Sequence, residues 1–299
     1  MTADQTGAAV CTLCPRRCGA IRGEVEGGGL CRMGTSPRVA KVTAHYGEEP
    51  CLSGTKGSGT VFFCGCALRC AYCQNAPISW DNPSKYGRVY AVDELADAFR
   101  SLEARGVHNI NLVGATPFLP AVIDALRIAR PAIPVVYNTS GYETPETIAA
   151  LNGMIDIYLP DYKYSDSALA SRLSGAADYP AVARAAILAM RDQTGPAAYA
   201  PDGVMLRGTI VRHLILPGHT RESIQSLNWL ATNLPPGTPV SLMGQFTPTA
   251  RSAIFGLDRP LTRSAYRRVK AHRMAIGLNE GYNQGPDASG EAMIPVWDI

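Results

Sequence analysis

The sequence predicts an α/β protein, a partial (βα)6 TIM-like parallel barrel with a small Cys-rich N-terminal module, on three observations. From Gly59 onward, short β-branched runs alternate with longer stretches of helical periodicity, the pattern of strand–helix units on a parallel sheet. Residues 1–58 differ, being rich in Gly and Cys and interrupted by Pro15, Pro37 and Pro50. Polar groups also recur just after each expected strand, which is where a parallel barrel builds its site. The expected division is therefore 1–58, a Cys-rich metal-binding module, and 59–299, a barrel with a C-terminal helix and tail. With 299 residues, 46% of them hydrophobic, the chain is long enough to bury one barrel core plus an appendage.

Residues 60–64 are the first expected strand. A helix over 92–104 follows, with Asp93 as its cap, Leu95, Ala96, Phe99 and Leu102 on one face, and Gly106 at its stop. Strand 109–113, helix 120–130 and strand 135–138 come next. Thr144 caps helix 145–151, with Pro145 in the first turn and Glu146 near the positive helix end. Strand 155–159 precedes helices 165–173 and 179–191. Residues 205–216 hold the fifth strand, 221–232 a helix, 240–245 the sixth strand and 261–274 the last helix. Six such units with no internal repeat argue for a barrel-like parallel sheet.

Charge and cysteine usage narrow the class. A net charge of +3, with basic residues scattered rather than clustered, favours neither a nucleic-acid nor a membrane partner. No run approaches the roughly 18 apolar residues of a membrane span, and the first residues lack a basic start and an apolar stretch. The expected location is the cytoplasm. All nine cysteines fall between residues 11 and 73, a distribution that suits metal ligands better than a disulfide framework.

Cys66, Cys70 and Cys73 form C-x3-C-x2-C directly after the first strand. Three thiolates hold three irons of a [4Fe–4S] cluster, whereas electron-transfer clusters take four cysteines. The fourth iron then stays open for a substrate or cofactor, the logic of catalytic zinc sites. A structural zinc site is the competing reading, but no second cysteine pair follows Cys73. Cys11, Cys14, Cys18 and Cys31 are a separable signal for a second metal site. Four thiols suit a tetrahedral zinc or iron ion or an auxiliary cluster, and the spacing does not choose among them. Cys51 and Cys64 read as small buried apolar residues.

The triad, with Tyr72 just before its third cysteine, resembles the radical S-adenosylmethionine (SAM) enzymes. Residues 11–18 (CTLCPRRC), 59–75 (GTVFFCGCALRCAYCQN), 136–142 (VYNTSGY), 156–163 (DIYLPDYK) and 210–218 (IVRHLILPG) resemble the PflX-type proteins related to pyruvate formate-lyase activating enzyme. The likeness extends through 243–246 (MGQF) and 294–297 (IPVW). It implies that SAM chelates the open iron of a [4Fe–4S] cluster. One-electron reduction then cleaves SAM to methionine and a 5′-deoxyadenosyl radical, which abstracts hydrogen from a small-molecule or peptide substrate. An external electron donor of the flavodoxin or ferredoxin type is implied too, with oxidoreductase or lyase/transferase-type chemistry.

By motif position, the cofactor-binding residues implied by the resemblance are Tyr72, Gly114, Thr116, Asn138, Ser140, Asp161, Lys163, Arg212 and Gln245. Lys163 pairs with the methionyl carboxylate in this reading. The plainer readings are a surface salt bridge for Asp161 and Lys163, and a turn before Gly141 for Asn138 and Ser140. Successive strand residues face opposite ways, so Arg212 points to the interior and His213 packs. The sequence departs from the family where Gly-Gly-Glu-Pro appears as residues 114–117 (GATP), which lacks the usual carboxylate, and where Gln245 replaces a histidine. No residue is assigned a catalytic acid or base role. The competing functions are a glycyl-radical-enzyme activating enzyme and a non-catalytic metal-binding or redox module.

Overall fold

The structure, a computed structural model, describes residues 2–3, 9–290 and 296–297. Strand β1 (Arg38–His45) pairs antiparallel with β2 (Ser58–Phe63), and β2 begins a parallel series. Helix α1 (Val92–Ala104) leads to β3 (Ile110–Val113), α2 (Leu119–Ala129) to β4 (Val135–Thr139), and α3 (Pro145–Ala150) to β5 (Ile157–Pro160). Helices α4 (Ser167–Ser174) and α5 (Tyr179–Thr194) precede β6 (Met205–Thr209) and β7 (Val211–Leu214). Helix α6 (Thr220–Asn233), β8 (Val240–Met243), α7 (Arg263–Ala275) and β9 (Gly281–Gln284) complete the series.

One sheet runs in the order β1-β2-β3-β4-β5-β6, with the short strands Arg88–Val89 and Ala198–Tyr199 at its edges. β7, β8 and β9 form a second, parallel sheet. The two share the stretch 205–214. Ile210 N–H donates to Tyr158 O (2.9 Å) on β5, and Val211 N–H donates the other way, to Pro239 O (3.0 Å) before β8. A single parallel bridge, Asp161 to Arg212, completes the seam. The strand read over 205–216 is thus one chain stretch shared by both sheets, and the parallel barrel expected from the alternation is what the chain forms.

Burial follows the two periods. Every residue of β2 is buried, as in a parallel strand covered on both faces. Leu95, Ala96, Phe99 and Leu102 of α1 are fully buried, which is the face the 3.6-residue spacing selects. The start of that helix differs from expectation: the Glu94 carboxylate accepts the Ala91 N–H (2.8 Å), so Ala91 is the cap and Asp93 lies in the first turn. Thr144 does cap α3, its hydroxyl accepting Thr147 N–H at 3.1 Å.

Besides the short edge strands, two of the numbered strands were not expected. β1 lies in the stretch read as loop-rich, because the Gly, Pro and Cys residues around it mask eight residues that pair with β2. β9 has no β-branched residue. Register with β8 holds it extended, and a side chain at Gly281 (φ 109) would run into the Val240 backbone at 2.3 Å. Among the described residues all nine cysteines are free thiols, and no helix is long and apolar enough to cross a membrane.

Candidate metal and cofactor site

The carboxyl ends of the parallel strands open onto one cavity of about 860 Å³. The loop after β2 delivers Cys66, Cys70 and Cys73 to its wall. Leu68 N–H donates to Cys66 Sγ (3.4 Å), Ser174 Oγ donates to Cys70 Sγ (3.0 Å), and Cys73 Sγ lies 3.9 Å from Ser79 Oγ. Burial, reinforced by the neighbouring thiols, pushes the Cys66 thiol well up and Cys73 up to about 11. Thiolates so placed need bound cations, and a metal ligand is a deprotonated thiol. Among the described residues no three His, Cys, Asp or Glu side chains, those of the N-terminal cysteines included, converge as they do around a single ion. Three thiols at the corners of an iron–sulfur cube need no such convergence, and the donor set suits a cluster with one open corner.

Each later strand adds to the rim. Gly114 and Thr116 follow β3, Asn138 and Ser140 come from the end of β4, and Asp161 and Lys163 follow β5. Arg212 of β7 and Gln245 after β8 close the ring. These eight residues, Tyr72 and the three cysteines of the triad, twelve in all, line the same cavity. Tyr72 is mostly buried edge-on against Tyr164 (centroids 6.4 Å apart) and also packs on Phe246 (6.2 Å). Gln245 lines the cavity, and its Oε1 is buried with no partner.

Lys163 and Arg212 are both paired with carboxylates. Lys163 Nζ donates to Asp161 Oδ2 at 2.5 Å, the pair sitting in the cavity wall rather than on the outer surface. Burial works against the Lys163 charge, yet Asp161 and then Cys70 hold its pKa above the ordinary lysine value. Arg212 donates through Nε to Glu49 Oε1 (2.8 Å) and through one terminal nitrogen to Glu49 Oε2 (2.6 Å) and to Glu48. Burial opposes ionisation of Glu49, but the charge of Arg212 and bonds from Arg212 and Ser241 keep its pKa below the usual carboxylate value. Glu48 Oε1 also accepts from Asn111 (3.0 Å) and Asn138 (3.2 Å). Two residues read as facing SAM, Arg212 and Asn138, are therefore engaged by carboxylates first. His213 packs as expected, its Nδ1 2.7 Å from Tyr162 O.

Glu48, Glu49 and Glu143 were missed by the sequence reading. Glu48 and Glu49 follow β1, inside the stretch read as a loop-rich module. Their signal was an adjacent acidic pair before Pro50, a residue suited to a first helical turn. Glu143 bears on the departure at residues 114–117. Its Oε1 accepts from Thr116 (2.6 Å), Thr139 (2.5 Å) and Tyr137 (3.4 Å), while Oε2 is buried without a partner. The carboxylate absent from the loop after β3 thus stands behind Thr116, delivered from the loop after β4. Burial pushes its pKa up to about 7.

Cys11, Cys14, Cys18 and Cys31 lie outside this cavity but near one another. A Cβ built on Gly29 would sit 3.2 Å from Cys18 Sγ and 4.0 Å from Cys31 Sγ. Burial pushes Cys14 up to about 12, and the charges of Cys31 and Cys11 add to it. Arg22 donates to Met33 O (3.0 Å) and Pro117 O (2.5 Å) and reaches Cys11 Sγ at 3.9 Å, fastening the module beside the loop after β3.

Residues 60–230 match the model of the Radical SAM superfamily. The chain belongs to that superfamily. This radical SAM protein is 30% identical over 281 residues to the uncharacterized protein MJ0674 of Methanocaldococcus jannaschii, the match covering 91% of this chain and 75% of that one. Its fold is similar to Streptococcus suis SuiB bound to S-adenosylmethionine (TM-score 0.51, 13% identity), over 74% of this chain and 48% of SuiB. A structure of SuiB bound to the precursor peptide SuiA gives a TM-score of 0.50 and 12% identity over 73% and 46% of the two chains. The chain spans about half the length of SuiB, and at this identity the likeness is one of fold. Superfamily membership implies a [4Fe–4S] cluster and SAM, and the cysteine triad suits the first.

Proposed function

We propose that this chain is an enzyme that reductively cleaves SAM at a [4Fe–4S] cluster on Cys66, Cys70 and Cys73 and uses the resulting 5′-deoxyadenosyl radical to abstract hydrogen from a small-molecule or peptide substrate. The observation that carries the reading is the single cavity that joins the triad to polar groups from the ends of β3, β4, β5, β7 and β8. When bound, the cluster and SAM supply the one-electron chemistry, and the chain's own residues bind, orient and exclude water. Lys163 offers an ammonium to a carboxylate. Thr116, Ser140 and Gln245 offer hydroxyl and amide groups to the remaining polar atoms of the cofactor. Arg212, held by Glu48 and Glu49, acts as a rigid strut under the rim, and Asn138 is aligned by Glu48.

The N-terminal quartet in this reading holds a second metal site, an iron–sulfur cluster or zinc, and the motifs shared with PflX-type proteins support that relation. Electrons come from an external donor of the flavodoxin or ferredoxin type. The test is anaerobic reconstitution followed by incubation with SAM and dithionite, measuring 5′-deoxyadenosine with iron and zinc per chain. Deoxyadenosine is expected from the native protein and not from Cys70→Ala. Retained cleavage in Cys70→Ala, or zinc binding with no cluster in the native protein, overturns the proposal.

A further inference from the structure

Helix α4 ends against the cysteine loop. Its last carbonyls accept from that loop and from the N-terminal module. Ala71 N–H donates to Leu173 O (2.7 Å) and Arg69 N–H to Ser174 O (3.4 Å). Ser174 Oγ, itself 2.7 Å from Tyr164 OH, donates to Cys70 Sγ at 3.0 Å. Arg16 completes the arrangement: Nε donates to Ala67 O (2.9 Å), one terminal nitrogen to Gly175 O (2.7 Å), and the other reaches Ser174 O (3.5 Å). One guanidinium therefore spans the peptide beside Cys66 and the helix end that supplies the donor to Cys70. A cation there also complements the negative end of the helix, and the fixed fork of donors has no equivalent in lysine.

The same residue is tied to the other cysteine set. Arg16 lies two positions from both Cys14 and Cys18. Its guanidinium lies over Tyr142, 5.4 Å from the ring centroid, and Tyr142 OH is anchored on Asp178 at 2.9 Å. Thr147 Oγ1 donates to Leu13 O (2.8 Å), a second fixing point next to Cys14. Arg16 therefore joins the segment that carries Cys14 and Cys18 to the cysteine loop.

We propose that Arg16 is a positioning residue that couples the N-terminal cysteine quartet to the Cys66–Cys70 loop, so that metal occupancy of the quartet sets the hydrogen bonding around Cys70. The proposal rests on the readings of the triad as the cluster site and of the quartet as a second metal site. Hydrogen bonds to cluster sulfurs are among the determinants of an iron–sulfur centre's potential, so quartet occupancy would tune the catalytic cluster without contributing a ligand to it.

The test uses the full chain as native protein, Arg16→Ala, Arg16→Lys and a Cys14→Ala/Cys18→Ala double variant. Two readouts are taken: amide hydrogen exchange over residues 66–73, with and without added zinc on the metal-free chain, and the electron paramagnetic resonance spectrum of the reduced, reconstituted protein. Zinc is expected to slow exchange at Arg69 and Ala71 about tenfold in the native chain. It is expected to leave them fast in both Arg16 variants and in the double variant, and the triad's resonance lines move in all three. If Arg16→Ala does not fold, Arg16→Lys, which keeps the charge and removes the fork, carries the comparison. Zinc-independent exchange in the native chain overturns the coupling, as do resonance lines indistinguishable from native in every variant. A native chain that forms no cluster overturns the functional reading alone, because the exchange measurement on the zinc-loaded chain still decides the coupling.

Discussion

Asp161 and Arg212 face each other in a lone parallel bridge between the two sheets, with Tyr162 N–H donating to Arg212 O at 2.7 Å. The residue just after β5 and the residue that anchors the ion-pair network are thereby fixed to one backbone seam. Asp161 holds Lys163, and Arg212 holds Glu48 and Glu49. Three carboxylates and two cations thus form one partly buried patch in the cavity wall, and each cation is held by a carboxylate.

Removing Arg212 leaves Glu48 and Glu49 buried without their cation. Loss of one partner from a buried pair typically costs about 3–5 kcal/mol, and Arg212→Ala is expected to lose that much stability. Arg212→Lys loses less, because it keeps the charge and forfeits the two-pronged bond to Glu49. Urea unfolding measures both, and a loss under about 1 kcal/mol in Arg212→Ala would show that the carboxylates are hydrated rather than locked.

Lys163 is a cavity cation bonded to a single carboxylate, Asp161. If it meets the carboxylate of SAM, Lys163→Gln removes a charge-assisted bond worth about 1.5–3 kcal/mol. The expected result is a dissociation constant for SAM raised by about 10- to 100-fold in the reconstituted protein, with the iron content unchanged. Calorimetric titration checks it. An unchanged constant would reduce Lys163 to a partner for Asp161.

Legibility in the sequence divides along physical lines. The helix faces of α1 and the cap at Thr144 were readable because periodicity and capping are local. The cysteine triad was readable because its ligands are seven residues apart at most. Glu48, Glu49 and Glu143 were not, since each acquires its role from a partner far along the chain: Arg212 for the first two, Thr116 for the third. β9 was invisible for the same reason, its extended state being imposed by β8. The interior orientation of Arg212 followed from strand alternation, but its carboxylate partners did not, because the strand that carries them into the rim lies in a composition that reads as loop.

Gly141 closes the turn after β4 at φ 76, and a Cβ there would stand 2.2 Å from Asp161 O. A side chain meets both the left-handed penalty, about 1–2 kcal/mol, and a backbone atom of the seam. Gly141→Ala is expected to lose at least about 2 kcal/mol in urea unfolding and to weaken SAM binding by displacing Asp161 and Lys163. Native-like stability would mean that the loop relaxes away from β5.

Glu143 gives stability a pH dependence of unusual direction for a carboxylate. Its folded pKa, about 7, is above the 4.5 of the free group because burial disfavours the charge. Between those values the folded state holds a proton that the unfolded chain has released. Stability from this group is therefore complete below about pH 4.5 and declines as pH rises through 7, at up to about 1.4 kcal/mol per pH unit. Glu143→Gln keeps an acceptor for Thr116 and Thr139 and cannot ionise. The native protein is expected to lose stability relative to Glu143→Gln between pH 5 and pH 7.5, by about 2–3 kcal/mol, in urea unfolding at each pH. A difference between the two proteins that stays constant across that range would show that Glu143 is already ionised at pH 5, with its second oxygen satisfied by water.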